Sequence, residues 1–349
     1  MEEINIGKPR NRKLKRVLSV VLPILVFICA VLYLFWPQPY YIEQPGITLP
    51  LSDMITVKGK SAESKGDFYL TAVTIAPANN AMILASKFNS FAEVVPKEEM
   101  TGGLNNKQYN LVNQFYMETA QNTAVYQAFK LAGKPYTMKY QGVYVLEITK
   151  NSTFKNDLQI ADTVTAVDGQ EFKSSKEMVN YVSSQKVGDS VSIDVTRIDG
   201  SQHSFKGKYI KLDNGKTGIG IGLVDHTVVE TEPKVKIDAG SIGGPSAGMM
   251  FTLEVYDQLT GSQLLQGRKI AGTGTIEEDG SVGQIGGVDK KVASAAKNKA
   301  EVFLVPDSGS KKVSENNYLA AKEAAEKLKT KMKIIPVKTV QDALDYLNK

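Results

Sequence analysis

The run from Val17 to Trp36 carries no charged residue and is almost wholly apolar. As a helix it covers about 30 Å, the thickness of a bilayer's hydrocarbon core. Pro23 is tolerated in such a helix, where neighbouring groups can re-satisfy the backbone it frees. Lys8, Arg10, Arg12, Lys13, Lys15 and Arg16 crowd one flank, and Tyr33, Trp36, Tyr40 and Tyr41 mark the other. That asymmetry predicts a cytoplasmic N-terminus and an extracellular remainder. A cleaved leader is the competing reading, but the run is longer than a leader's apolar core and is followed by Trp-Pro-Gln-Pro-Tyr-Tyr instead of small residues. The sequence therefore predicts an uncleaved single-pass anchor over 17–36 behind a cytoplasmic basic tail over 1–16.

A chain of 349 residues divides into more than one domain. Its formal net charge of +5 sits mostly in those six N-terminal cations, leaving a nearly neutral body. A nucleic-acid binder spreads Lys and Arg over a folded face, so that class is set aside. Cys29 is the only cysteine and lies in the apolar run, which excludes an intramolecular disulfide and a cysteine metal site. No metal or cofactor is expected.

Beyond the anchor, Ile47 to Val57 and Asp67 to Ile75 read as strands, and Asn80 to Ala92 and Asn106 to Ala132 as helices, the second ended by Gly133-Lys-Pro135. From Met138 to Ile210 short strands (Gly142 to Ile148, Thr163 to Val167, Val191 to Arg197) surround a helix over Ser175 to Ser184. Val167-Asp-Gly-Gln170 is a turn, and Asp199-Gly200 closes a hairpin. This unit, taken as 136–212, resembles a PDZ domain. Gln141-Gly-Val-Tyr-Val145 stands where that family keeps the loop that receives a peptide's terminal carboxylate, which implies peptide binding by Gly142, Val143, Tyr144 and Val145 through strand addition. Ala161-Asp162 departs from the family's frequent Gly-Asp.

Gly218-Ile-Gly-Ile-Gly222 invites a dinucleotide reading, which fails because Leu223 stands where a glycine is required. Gly215-Lys-Thr217 fails as a phosphate loop because Ile210 occupies the place of its first glycine. No nucleotide partner and no ATPase module is expected.

Gly244-Pro-Ser-Ala-Gly248 has the Gly-x-Ser-x-Gly form that exposes a nucleophilic serine on a tight turn. The two histidines, His203 and His226, both precede Ser246, so the chain order of an α/β-hydrolase triad is excluded. Both are read as surface histidines. A serine without histidine can be activated by a lysine whose burial favours the neutral amine. In the helix entered at Gly286-Gly287, Val288, Lys291, Val292 and Ala295 share one face, while Lys290, Ser294 and Lys297 form a stripe read as solvated. Periodicity therefore favours Lys291 as the base.

Gly244-Pro-Ser-Ala-Gly248, then Thr273-Gly274, then Ile285-Gly-Gly-Val-Asp-Lys-Lys291 resemble the proteolytic domain of Lon proteases. The resemblance continues through Ala300 to Pro306 and fades towards the C-terminus. It implies a Ser246–Lys291 dyad, a supporting hydroxyl from Thr273, and an oxyanion turn at Gly244, Pro245 and Ala247. Many members carry an acidic residue where Gly243 stands. The implied fold is an α/β (α+β) Lon-type domain over 213–349, completed by residues 37–135, with the PDZ unit inserted and one transmembrane helix in front.

The combination resembles a group of Gram-positive surface peptidases, some trimming secreted peptide signals. The implied function is ATP-independent endopeptidase action outside the cell on secreted peptides or exposed protein tails. The alternatives are a membrane-tethered PDZ adaptor with a non-catalytic Lon-like body, which intact Ser246, Thr273 and Lys291 oppose, and another acyl-transfer enzyme using the same dyad.

Overall fold

Asn105 starts a long helix by accepting a hydrogen bond from Gln108 N at 3.0 Å while Gln108 returns its side chain to Asn105 N. Thr339 and Asp342 make the same reciprocal pair at the C-terminal helix, and single-sided caps come from Asn79, Ser174 and Asn316. The computed structural model describes residues 11–59, 65–261 and 263–349, with side chains from Lys15 onward. Of the expected basic tail, residues 1–10 lie outside the described residues.

In chain order the elements are α1 (Asn11–Leu34), β1 (Pro37–Pro50), β2 (Ile55–Val57), β3 (Asp67–Asn79), α2 (Asn80–Ser86), β4 (Glu93–Pro96), α3 (Lys97–Thr101) and α4 (Asn106–Leu131). There follow β5 (Tyr136–Ile148), β6 (Thr163–Val167), β7 (Gln170–Glu171), α5 (Ser175–Ser183), β8 (Ser190–Thr196), β9 (Gln202–Lys208), β10 (Ile210–Lys211), β11 (Thr217–Gly218), β12 (Ile221–Thr231) and β13 (Val235–Ile237). The chain ends with α6 (Gly248–Thr260), β14 (Lys269–Gly272), α7 (Val288–Lys297), β15 (Val302–Pro306), α8 (Asn317–Leu328), β16 (Lys333–Val337) and α9 (Val340–Leu347). The expected helix over 80–92 stops at Ser86, and three residues later Asn89 accepts from Phe91 N at 3.1 Å, a local turn that competes with helix continuation.

These elements form two compact units. One joins the residues up to Gln44 to Thr74–Gly103. It holds α1, the pairing of Tyr40–Glu43 on β1 with Glu93–Pro96 on β4, α2 and α3. Among the described residues, α1 is the one helix long and apolar enough to cross a membrane, with a mean hydropathy of 2.9 over its apolar stretch.

The other unit comprises Pro45–Val73 and Leu104–Lys349. Its C-terminal sheet runs β16-β15-β14-β3 with every neighbouring pair parallel, linked through α7 and α8. Of the strands expected before the PDZ-like region, Asp67–Leu70 of β3 lies beside Lys269–Gly272 in this sheet, whereas Ile55–Val57 pairs with β13 in a separate ladder. Every residue of β15 is buried, as a parallel strand covered on both faces requires. Nearly all of α6 is buried as well, and thirteen residues are too few to span a bilayer, so it is a core helix. The second sheet runs β12-β5-β6-β8-β9 around Val143, Val145, Phe154, Val164, Met178, Ile193 and Val195. It extends to Thr231, past residue 212 where the sequence suggested the unit ends.

The short ladder of β2 with β13 is held to α6 by one buried side chain. Gln258 accepts from Val57 N at 3.0 Å and donates to Ile55 O at 3.1 Å and to Glu254 Oε1 at 2.6 Å. Burial pushes the Glu254 carboxyl up to about 7. With the folded value raised, the native state binds more protons than the unfolded chain between about pH 4.5 and 7, so stability falls as pH rises through that window. Glu254→Gln keeps an acceptor for Gln258 and removes the titration. Denaturant unfolding of the full chain in detergent should show the wild type losing on the order of 3 kcal/mol between pH 5 and pH 8, and Glu254→Gln losing little of it.

Candidate active site

Three loop-to-helix or strand-to-loop junctions converge at the C-terminal end of β14, a strand paired on both sides. Ser246 sits in the turn entering α6, Thr273 directly follows β14, and Lys291 lies in the first turn of α7. Gly287 initiates that helix with φ 64°, a backbone conformation glycine adopts without strain, and accepts from Lys291 N at 3.0 Å. Thr273 N donates to Leu304 O, which fixes it to β15.

Lys291 Nζ lies 2.6 Å from Ser246 Oγ and 3.1 Å from Thr273 Oγ1. Thr273 Oγ1 donates to Ser246 O at 3.0 Å, and Gly274 N donates to the same carbonyl at 2.8 Å. Since the Thr273 hydroxyl proton is committed there, its lone pairs face the amine. Thr273 is fully buried and Lys291 is 3% exposed, whereas Ser246 is half-buried and reachable. The structure thus brings together the three side chains expected to act together.

Lys290 does not lie on a solvated stripe. It is 4% exposed with Nζ 3.5 Å from Asp289 Oδ1, and Ser294 on the same stripe is buried and donates to Gly46 O at 3.2 Å. The α7 helix buries two faces, so a single amphipathic period could not separate the two lysines by exposure. His226 is likewise no surface histidine: it stacks on Tyr144 at 4.0 Å, contacts Thr163 Oγ1 at 3.0 Å, and burial lowers its pKa.

The turn before Ser246 rests on α4. Gly244 N donates to Asn113 O at 2.7 Å, so that N–H is already used and cannot receive an oxyanion, and Pro245 has none to offer. Among the described hydrogen bonds none uses the N–H of Ser246 or Ala247, and both residues stand just before α6, at the helix end where the dipole favours negative charge.

Gly142, Val143, Tyr144 and Val145 do not form a receiving loop. They lie inside β5, paired on one edge with His226 to Leu223 of β12 and on the other with Thr163 and Val164 of β6. Both edges being occupied, no peptide strand can add there. The sheet ends in two edge strands, β9 and β12, and β12 is entered through Gly218-Ile-Gly-Ile-Gly222. On β12 the carbonyls of Asp225 and Thr227 are taken by Thr119 and Asn122 of α4, and the Asp225 carboxylate caps Ser175 N at the start of α5.

A cleft of about 680 Å³ opens beside this edge. Leu223 to Asp225 and Ser174 to Lys176 line one side, Pro245 and Thr275 to Asp279 the other. Its lining reaches from β12 to Pro245, the residue preceding Ser246. Burial raises the Glu277 and Glu278 carboxyls, helped at Glu277 by Asp279 and Glu278 and at both by Asp225.

Known proteins match the same two regions. Residues 121–209 match the PDZ domain model, and residues 217–348 match the Lon protease (S16) C-terminal proteolytic domain model. A Lon protease from Neorickettsia sennetsu is 32% identical over 108 residues, covering 31% of this chain and 12% of that protein, so the chain spans only a small part of that relative. Among solved structures, the PDZ domain of an SdrC-like protein from Listeria monocytogenes is 36% identical with a TM-score of 0.24, covering 25% of this chain and 90% of that one. The corresponding Listeria innocua domain is 36% identical with a TM-score of 0.23, covering 24% and 96%. The chain therefore carries a PDZ domain followed by a Lon-type proteolytic domain, with one apolar helix near its N-terminus.

The glycine at 243 has a physical reason. A Cβ there would meet Asn113 Cβ at 2.7 Å and the Asn113 backbone at 3.2 Å, leaving no room for an acidic side chain. Gly243→Ala should lower the unfolding free energy by about 1–3 kcal/mol, the usual cost of overpacking, when measured by denaturant unfolding; an unchanged midpoint would show that the turn does not rest on α4.

Proposed function

We propose that this chain, a PDZ domain joined to a Lon-type proteolytic domain behind an apolar N-terminal helix, is a serine endopeptidase anchored in a bacterial cell membrane, with its catalytic body outside the cell. Its substrates are secreted peptides or exposed protein tails. The observation that carries this reading is the 2.6 Å approach of Lys291 Nζ to Ser246 Oγ, with Thr273 Oγ1 against the same amine.

The chemistry follows from the hydrogen bonds. A neutral amine has two N–H groups and one lone pair; one N–H donated to Thr273 turns the lone pair towards Ser246. Burial is the physical lever that favours the neutral form such a base requires. Lys291 takes the Ser246 proton as Oγ attacks the peptide carbonyl, and the resulting oxyanion meets the N–H groups of Ser246 and Ala247 at the positive end of α6. The Lys291 ammonium then protonates the departing amine as the C–N bond breaks, leaving an acyl-serine. Water, deprotonated by the regenerated amine, hydrolyses that ester and restores Ser246. Nothing in these steps draws on a nucleotide or a metal.

The PDZ domain serves the same reaction by holding a substrate segment against the edge strand β12 where it lines the cleft that leads to Pro245. Tethering of this kind raises the local concentration of the scissile segment without new chemistry. The basic residues before α1 and the aromatic residues after it support an N-terminus inside and a protease outside.

Peptide cleavage by the detergent-solubilised full chain without ATP, read by mass spectrometry, tests the assignment. Wild type should cut, and Ser246→Ala and Lys291→Ala should not; a Ser246→Ala protein that cuts like wild type would sink the mechanism. Thr273→Val should lower kcat about tenfold, the effect of losing a hydrogen bond worth about 1–1.5 kcal/mol. Leu223→Asn, on the β12 side of the cleft, should raise KM and leave kcat unchanged; equal losses in both would place Leu223 in the reacting centre instead.

A further inference from the structure

The N-terminal unit carries a second apolar element beside the end of its long helix. In α2 the five residues Ala81-Met-Ile-Leu-Ala85 are consecutively apolar, yet none of the helix's residues is buried. Leu84 is 53% exposed and Phe88, one turn on, is 86% exposed. Single exposed apolar residues are ordinary, but two large ones a turn apart, beside Ala81, Met82 and Ile83 that are only half-buried, mark an interaction surface.

The position of α2 identifies what covers it. Asn79 caps the helix by accepting from Met82 N at 2.9 Å, and Asn80 Nδ2 donates at 2.8 Å to Tyr33 O, a last-turn carbonyl of α1 that also accepts from Trp36 N. So α2 begins at the depth where α1 finishes. That depth is marked by Tyr33, Phe35 and Trp36, all exposed, the residues that settle at a membrane's headgroup level. Lys87 follows the helix and is exposed, as suits a cation reaching lipid phosphates from an apolar stem.

We propose that α2 and Phe88 form an interfacial lipid-binding element, with Leu84 and Phe88 seated at the boundary of headgroups and acyl chains in the outer leaflet. The bilayer is the occupant because the Asn80–Tyr33 bond makes this patch continuous with the apolar surface of α1. The inference rests on α1 being the membrane anchor. The consequence is an N-terminal unit held at the bilayer by two contacts, which restrains the tilt and rotation that a single helix would leave that unit.

The test uses the full chain in phosphatidylcholine–phosphatidylglycerol vesicles. Trp36→Phe removes the only tryptophan, and in that background Phe88→Trp and Leu25→Trp are separate fluorescent reporters. Lipids spin-labelled near the headgroup or near the chain end serve as quenchers. Phe88→Trp should emit at shorter wavelength than free tryptophan and lose emission to the shallow label more than to the deep one, while Leu25→Trp is quenched by the deep label. A solvent-like, unquenched Phe88→Trp beside a quenched Leu25→Trp overturns the proposal and leaves the anchor standing. A shifted but unquenched Phe88→Trp also overturns it, because a protein surface then covers the patch. If Leu25→Trp is unquenched, the anchor reading fails and the α2 proposal falls with it.

Discussion

The C-terminal half of the fold depends on keeping one amine, Lys291 Nζ, out of water while giving it hydrogen-bond partners. A buried amine is tolerated only when its polar groups are met. Ser246 Oγ and Thr273 Oγ1 meet them, and each is fixed by something stiffer than itself. Thr273 is locked between the carbonyl of Ser246 and the backbone of β15, and Ser246 stands at the mouth of a wholly packed helix. The parallel strands, buried on both faces, supply the rigidity that holds three residues from distant parts of the chain within hydrogen-bonding reach.

Helix α4 is the second organising part. Along its length Asn113 O receives the turn before Ser246, Phe115 stacks on Tyr144 at 4.0 Å, Thr119 and Asn122 take carbonyls of β12, and Gln127 and Lys130 hold the backbone at Glu277 and Glu278. One helix thus touches the turn before Ser246, strand β12 and the backbone at Glu277 and Glu278 in the cleft.

The convergence of Ser246, Thr273 and Lys291 was legible because each lies in a glycine-rich motif whose turn geometry is written locally. The apolar helix was legible for a similar reason, since twenty uncharged residues admit few other states. What escaped depended on tertiary context. Lys290 and Ser294 are buried because α7 meets a second surface at Gly46, which no periodicity within α7 announces. Gly142 to Val145 were read as a receiving loop and lie inside β5, because strand order in a sheet is not encoded in any one strand. The two-faced burial of α4 blurs its apolar stripe, so its length could be read but not its contacts.

The PDZ domain can sit within the protease because of how its chain enters and leaves. β5 begins at Tyr136 and β12 ends at Thr231, and these two residues are directly paired. The excursion therefore departs and returns at one place, and the flanking α4 and β13 need not separate to admit it. Antiparallel pairing over the full length of β12 makes this junction a two-stranded stalk instead of a flexible linker. The same pairing puts the edge strand β12 on the returning limb, next to α4. A domain inserted through such a stalk is positioned by backbone hydrogen bonds and by the α4 side chains that take β12 carbonyls, and together these place Leu223 to Asp225 in the same cleft as Pro245.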